Sequence, residues 1–406
     1  MPTPLSGSRT TGNIETDRLV RDVESTIALL DPEISPLMAA LASYGREYVN
    51  DAQGRVKVSG VPLAKKVTTS TKFEWYENAM LNVKSNVNNV AGITSTDTTI
   101  EVDDGDVYSE NDLVWNTRTN ELMEVDSISG DIITVRRGVG ASGVGVAMLN
   151  DDELIVIGNL YPENETSGTP KTNVGDNVYN YTQIIRTPFG LSRSLMNSET
   201  YAGDDWATQV KMNGIEHLKK MERVAWFGKR ETGTDTVNNA AGAPKRTTGG
   251  ILNHFLSTNV TTAAATLTES EWDSWLETAL KKGSRMKYVF CAPRVLTVVS
   301  GFAKSKLDFK MDSSRYGVSV SEYQSPHGTV KLVRCPIFDE SVNTNGHAVA
   351  LDMSKIKYRY LKDSDTKFKD NIQENDRDGR KAEYITEFGI QLQNESEMAV
   401  LKGVRG

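Results

Sequence analysis

Cysteine, histidine and long apolar runs are scarce in this chain of 406 residues. Its two cysteines, Cys291 and Cys335, stand far apart and outside any CxxC spacing. That excludes a disulfide framework and reads as two buried thiols in a reducing compartment. The four histidines, His217, His254, His327 and His347, do not share metal-ligand spacing with one another or with a cysteine. No apolar run approaches the roughly 20 residues that cross a bilayer, so no membrane partner is expected. Met1 to Asn13 holds no apolar stretch, and no secretory signal is read there.

Catalytic signatures are absent as well: the sequence contains no GxSxG, HExxH or GxxxxGK(S/T). Gly138, Gly140 and Gly143 match GxGxxG after a strand, but no helical period opens behind them to present amide dipoles to a phosphate. They read as a turn. Asp103–Asp106 and Asp376–Gly379 cluster carboxylates in turns without a complete calcium-ligand set. The expectation is no catalytic residue, no cofactor and no metal: not an enzyme.

What the chain has is uneven charge and strong periodicity. Between Val90 and Leu160 fourteen acids face three bases, a net of −11, although the whole chain carries only −8. The remainder is weakly basic, at +3. In that acidic stretch short β-rich pieces alternate with Gly, Asp and Asn turns, which predicts a compact all-β insertion over 91–158. Asn50 to Trp75 is basic and strand-like, with Arg55, Lys57, Lys65 and Lys66 followed by the aromatic group Phe73, Trp75 and Tyr76. These seven are the candidates for contacts between subunits.

From Asp204 to Gly228, Trp206, Val210, Gly214, Leu218, Met221 and Ala225 recur at spacings of three and four. This predicts one continuous helix with an acidic N-cap and a glycine C-cap. Thr268 and Glu271 form a capping-box pattern ahead of a further helix. Strands follow at Tyr288–Cys291, Val318–Tyr323, Thr329–Val333 and His347–Leu351, the middle two joined by a Ser325–Gly328 turn. Ala382, Tyr384, Thr386, Phe388, Ile390 and Leu392 alternate with mostly polar residues. The pattern predicts a strand of about 36 Å at ~3.3 Å per residue, with its even face buried and its odd face wet. Phe388, Ile390 and Leu392 are expected to pack on Leu218, Met221 and Ala225, and Glu387→Ser to be nearly silent unless it lies at a subunit contact.

Several local stretches carry a resemblance: Thr71–Tyr76, Asn180–Ile184, Gly249–Leu252 with Thr258–Val260, Gly328–Asp352 and Ala382–Gly403. They resemble the head-protein family typified by Escherichia phage SU-ten. The order of elements resembles major capsid proteins of tailed double-stranded DNA phages with the Hong Kong 97-type fold. The resemblance implies an α+β subunit in these parts. An N-terminal arm spans 1–17, a helical segment 18–48 and an extended loop 49–90 with 159–188. A peripheral domain spans 189–262 with 363–397 and holds the spine helix 204–228; an axial domain spans 263–362 with 398–406.

It also implies a virion protein, assembled in the host cytoplasm, that closes an icosahedral shell of pentamers and hexamers. The chain begins almost at its arm, so a separate scaffolding protein is expected, alongside a portal, non-specific contact with packaged double-stranded DNA and a decoration protein. The rival reading is a glycan- or surface-binding structural virion protein built around the β insertion.

Overall fold

The computed structural model describes residues 35–43, 47–50, 56–59, 64–78, 80–140, 145–164, 166, 168–198, 205–235, 242–263, 266–302, 312–315 and 318–405. The expected arm at 1–17, and the helix expected to follow it, lie outside these residues. The chain divides into two compact units, 76–177 and the remainder.

The 76–177 unit is an antiparallel sheet of six strands. Their order is Lys84–Asn86, Glu153–Asn159, Asp112–Asn116, Leu122–Ser129, Ile132–Arg136 and Thr99–Glu101. Alternate residues (Val114, Met123, Val125, Ile133, Val135 and Leu154) close a core of their own. The expected insertion at 91–158 lies inside this unit, which also takes in residues on both of its flanks. Gly138 and Gly140 have φ of +63° and +78°, backbone that favours glycine and suits a turn. The Gly138 amide donates to Glu121 Oε1 at 3.2 Å, so a carboxylate occupies the place a phosphate would need. Glu121 is itself clamped by the buried Arg137 guanidinium at 2.7 and 2.8 Å.

Among the described residues the other unit holds two large sheets, besides the two-stranded pairs Glu47–Asn50 with Val56–Ser59 and Glu231–Asp235 with Ala243–Thr247. In the first, Gln183–Ser192, Gly379–Leu392, Ile356–Leu361 and Lys65–Thr68 lie side by side, and Lys367–Lys369 also pairs with the second of these. The long strand, Gly379–Leu392, has 14 residues, about 46 Å at ~3.3 Å each. It runs antiparallel to Gln183–Ser192 for ten successive pairs. Ile356–Leu361, expected with the axial region, belongs to this sheet. The second sheet has seven strands, in the order Val260–Thr262, Ala399–Lys402, Ala348–Leu351, Met286–Cys291, Gly328–Arg334, Val318–Ser325 and Asp312–Arg315. Helices Glu269–Leu280 and Pro293–Phe302 belong to the same region, and the capping box of Thr268 with Glu271 starts the first.

The spine helix, Asp205–Phe227, is 23 residues, about 35 Å at ~1.5 Å each. Its buried side departs from the apolar stripe read from spacing at Leu218, while Met221 and Ala225 keep to it and share a core with Phe388, Ile390 and Leu392. Leu218 is 40 % exposed, whereas His217, Met221, Glu222, Ala225 and Trp226 are buried. A step of three from Gly214 turns His217 inward; the step of four to Leu218 leaves that leucine on the flank.

The long strand departs from expectation too. Its odd face is covered: Glu383, Glu387 and Gln391 are buried, because the strand lies inside the sheet and a second layer crosses that face. Gly389 belongs to this close packing, since a Cβ there would meet the Phe73 ring at 2.8 Å and Tyr181 O at 2.6 Å.

Candidate functional site

The proposed contact residues fall on the first sheet and the segments leading from it. Arg55 lies outside the described residues, and Lys57 sits in strand Val56–Ser59, which pairs antiparallel with Glu47–Asn50. Lys65 is engaged within its own chain, in an ion pair with Asp365 and over the Tyr358 and Tyr360 rings at 5.6 and 5.0 Å. Lys66 points the other way and is exposed. Phe73 and Trp75, read as surface anchors, are 5 % and 6 % exposed. They correct that reading: Trp75 stacks with Phe73 and tilts against Phe255, each at 6.0 Å, so both rings anchor the chain to itself. Tyr76 is 75 % exposed.

The core candidates meet differently from the expected leucine stripe. The spine helix approaches the long strand at Gly214, where a Cβ would lie 3.4 Å from the Tyr384 ring. Tyr384 donates its hydroxyl to Val210 O at 3.2 Å. Beside it, His217 is hydrogen-bonded through Nδ1 to the Thr187 hydroxyl at 3.0 Å and through Nε2 to the Thr386 hydroxyl at 2.8 Å. Burial pushes His217 down to about 4, so it is a neutral bridge at neutral pH. Trp206 packs on Phe189 at 5.4 Å and under the Arg380 guanidinium at 4.3 Å. Phe388 stacks on Tyr358 at 5.2 Å, and Ile390 and Leu392 are fully buried with it.

Two further side chains carry joints that apolar periodicity does not reveal. Glu222 is fully buried, and its carboxylate accepts the amides of Leu37 at 2.9 Å and Met38 at 3.0 Å and the Trp226 indole at 3.2 Å. It holds the first turn of helix Pro36–Ser43 against the spine. Burial pushes it up to about 7, against the pull of those three donors. Asn180, also fully buried, donates to Gly249 O at 3.1 Å and Ile390 O at 2.7 Å, while its oxygen accepts from Gly249 N at 2.8 Å.

Nucleophilic chemistry finds little support in these groups. Burial raises both free thiols, Cys291 and Cys335. Burial also holds His347 down to about 4. Among the described residues no group of three or more His, Cys, Asp and Glu converges as for a metal ion. No helix in them is long and apolar enough to cross a membrane. The geometry is that of a scaffold: long elements, polar joints and rings packed inward.

A sequence profile described as SU10 major capsid protein matches residues 5–405. The chain therefore belongs to the SU10 major capsid protein family. It is a major capsid protein of a tailed phage, a virion component that assembles with itself into the icosahedral head. A curated relative, the major capsid protein of Pseudomonas phage PaMx41, is 22 % identical over 301 residues, covering 71 % of this chain and 70 % of that protein. Solved structures similar to the chain include Mycobacterium phage Cain, at 9 % identity, 98 % of each chain and a TM-score of 0.44. The capsid of Myoviridae Phage XM1 shows 9 % identity over 61 % of this chain and 81 % of that one, with a TM-score of 0.38. At such scores the family assignment, not the structural likeness, carries the function.

Proposed function

We propose that this subunit has the Hong Kong 97-type arrangement and builds the head as pentamers and hexamers, with no enzymatic step of its own. The spine helix and the long-strand sheet form the peripheral domain, now with Ile356–Leu361. The seven-stranded sheet forms the axial domain, and strands Glu47–Asn50 and Val56–Ser59 belong to the extended loop. The 76–177 unit is an insertion that faces away from the genome. The single observation that favours this reading is the joint between spine helix and long strand. Two elements of about 35 and 46 Å are fastened by Gly214, His217 and Tyr384, a rigid bar suited to repeated contact with neighbouring copies.

The buried thiols and the neutral His217 and His347 support a structural role. Assembly in the host cytoplasm, guided by a separate scaffolding protein and a portal, completes the proposal. Weak non-specific contact with packaged double-stranded DNA suits a body whose positive excess is small, and a decoration protein would sit on the insertion. Reconstruction of heads produced with the phage's other assembly proteins tests it. Hexamers and pentamers with 76–177 outside the DNA-filled lumen are expected. That unit on the lumenal face, or covalent subunit oligomers that survive hot detergent, would overturn the corresponding part.

A further inference from the structure

The first sheet carries cations that its own chain does not neutralise. Strand Lys65–Thr68 runs parallel to Ile356–Leu361 with Lys66 beside Arg359, so the two side chains leave the same face. Lys357, two residues before Arg359, shares that face. Lys355 has an acid, Glu397, at 3.8 Å. Among the described residues, Lys66, Lys357 and Arg359 have none within ion-pair distance.

Arg359 is the informative member, because it is only 9 % exposed. Its Nε donates to Gln391 Oε1 at 2.6 Å, and its guanidinium lies 5.7 Å from the centre of the Phe73 ring. Both partners are neutral. A guanidinium this buried is ordinarily matched by a carboxylate or phosphate, since removing charge from water without a counter-charge is costly. Burial lowers the Lys357 ammonium, and so do its neighbours Lys66, Arg359 and Lys355. Lys66, Lys357 and Arg359 are therefore a cluster of like charges with a planar fork at its centre, and Glu387, on the same face of the neighbouring strand, is engaged instead by Thr182 and Arg246.

We propose that this face docks carboxylates from the 76–177 segment of a second copy of the chain, an inference that rests on the shell-forming reading above. Charge complementarity carries the choice of occupant. Residues 76–177 hold eighteen acids and five bases, a net of −13, whereas the rest of the chain holds 41 bases and 36 acids, a net of +5. Glu101, Asp103, Asp104 and Asp106 lie exposed within six consecutive residues. A guanidinium fork pairs with a carboxylate through two parallel hydrogen bonds, and flanking lysines add attraction without demanding a fixed geometry. In a closed shell each such contact recurs with every copy, so a modest pair energy is multiplied.

Zero-length carbodiimide coupling of assembled heads tests the site. The reagent joins a lysine amine to a carboxylate only where they touch, and the covalent dimer band on a denaturing gel contains links between copies by construction. Peptides joining Lys66 or Lys357 to an acid of 76–177 are expected in that band. Their absence there, their presence in the monomer band alone, or links to acids elsewhere in the chain would overturn the proposal. Lysines acylated in empty shells but protected in DNA-filled heads would reassign the face to phosphate.

Lys66→Glu, at an exposed position, is expected to raise the free-subunit concentration coexisting with shells about three- to tenfold. Asp103→Lys in the same chain is expected to reverse the effect. A wild-type chain that never forms shells would sink the shell reading; normal shells with an indifferent Lys66→Glu would sink this site alone.

Discussion

Glu222 ties the helix at Pro36–Ser43 to the spine through a carboxyl group with no exposure to water, and its titration is measurable. Its ordinary value is 4.5 and burial moves it to about 7. Between those values the folded chain keeps a proton that the unfolded chain has released. Stability from this group is therefore full below about pH 4.5 and declines as pH rises toward about 7, then stays flat. A displacement of about 2.5 units at ~1.4 kcal/mol each makes the decline on the order of 3 kcal/mol.

Glu222→Gln removes the titration but sets an amide NH2 against one of the three donors, a deficit that does not vary with pH. In urea unfolding of the unassembled subunit, the difference between the two proteins should shift in the variant's favour by roughly 2–3 kcal/mol from pH ~5 to pH ~8. Amide exchange at Leu37 and Met38, compared between the two proteins at each pH, reads the same joint locally. A variant that loses stability relative to wild type as pH rises would refute the reasoning. It would mean that the ionised carboxylate, held by its three donors, outweighs the penalty of burial.

Further outcomes can be checked on the same subunit. Glu387→Ala removes the acceptor of the Thr182 hydroxyl at 2.8 Å and the partner of Arg246 at 3.4 Å, so a loss of about 1–3 kcal/mol in urea unfolding is expected. An unchanged midpoint would return that face to solvent. Phe388→Asp places an unpaired charge where exposure is 0 %, and the expected result is insoluble subunit and no shells. Native Cys291 and Cys335 should resist a neutral-pH alkylating reagent and react only on unfolding; rapid labelling of folded subunit would contradict their burial.

Elements marked by local chemistry were the legible ones. Asp and Gly punctuation placed the spine helix within one residue of its observed ends, Asp205 and Phe227. The Thr268–Glu271 pair marked its helix start, and the Ser325–Gly328 turn its hairpin. Alternation placed the long strand but misassigned its odd face, since a period of two separates two chemistries without revealing what covers either. Glu387 and Gln391 are polar and buried because Thr182 and Arg359 meet them from the chain on either side of the strand. His217 and Glu222 are illegible for the same reason: a polar residue facing inward looks, in sequence, like one facing water. The Arg359 cluster required the strand register, which joins residues nearly three hundred positions apart.

Strand Lys72–Glu77 pairs with Asp176–Tyr181, so the chain leaves for the 76–177 unit and returns from it along neighbouring strands. Entry and exit share one doorway, and a short turn is all that is needed to close it. The two ends of such a module are already held together by the host fold, which keeps the entropy of excising or exchanging what lies between them small. Lineages of this protein are thus free to lose, enlarge or replace the module while the spine and both sheets stay as they are.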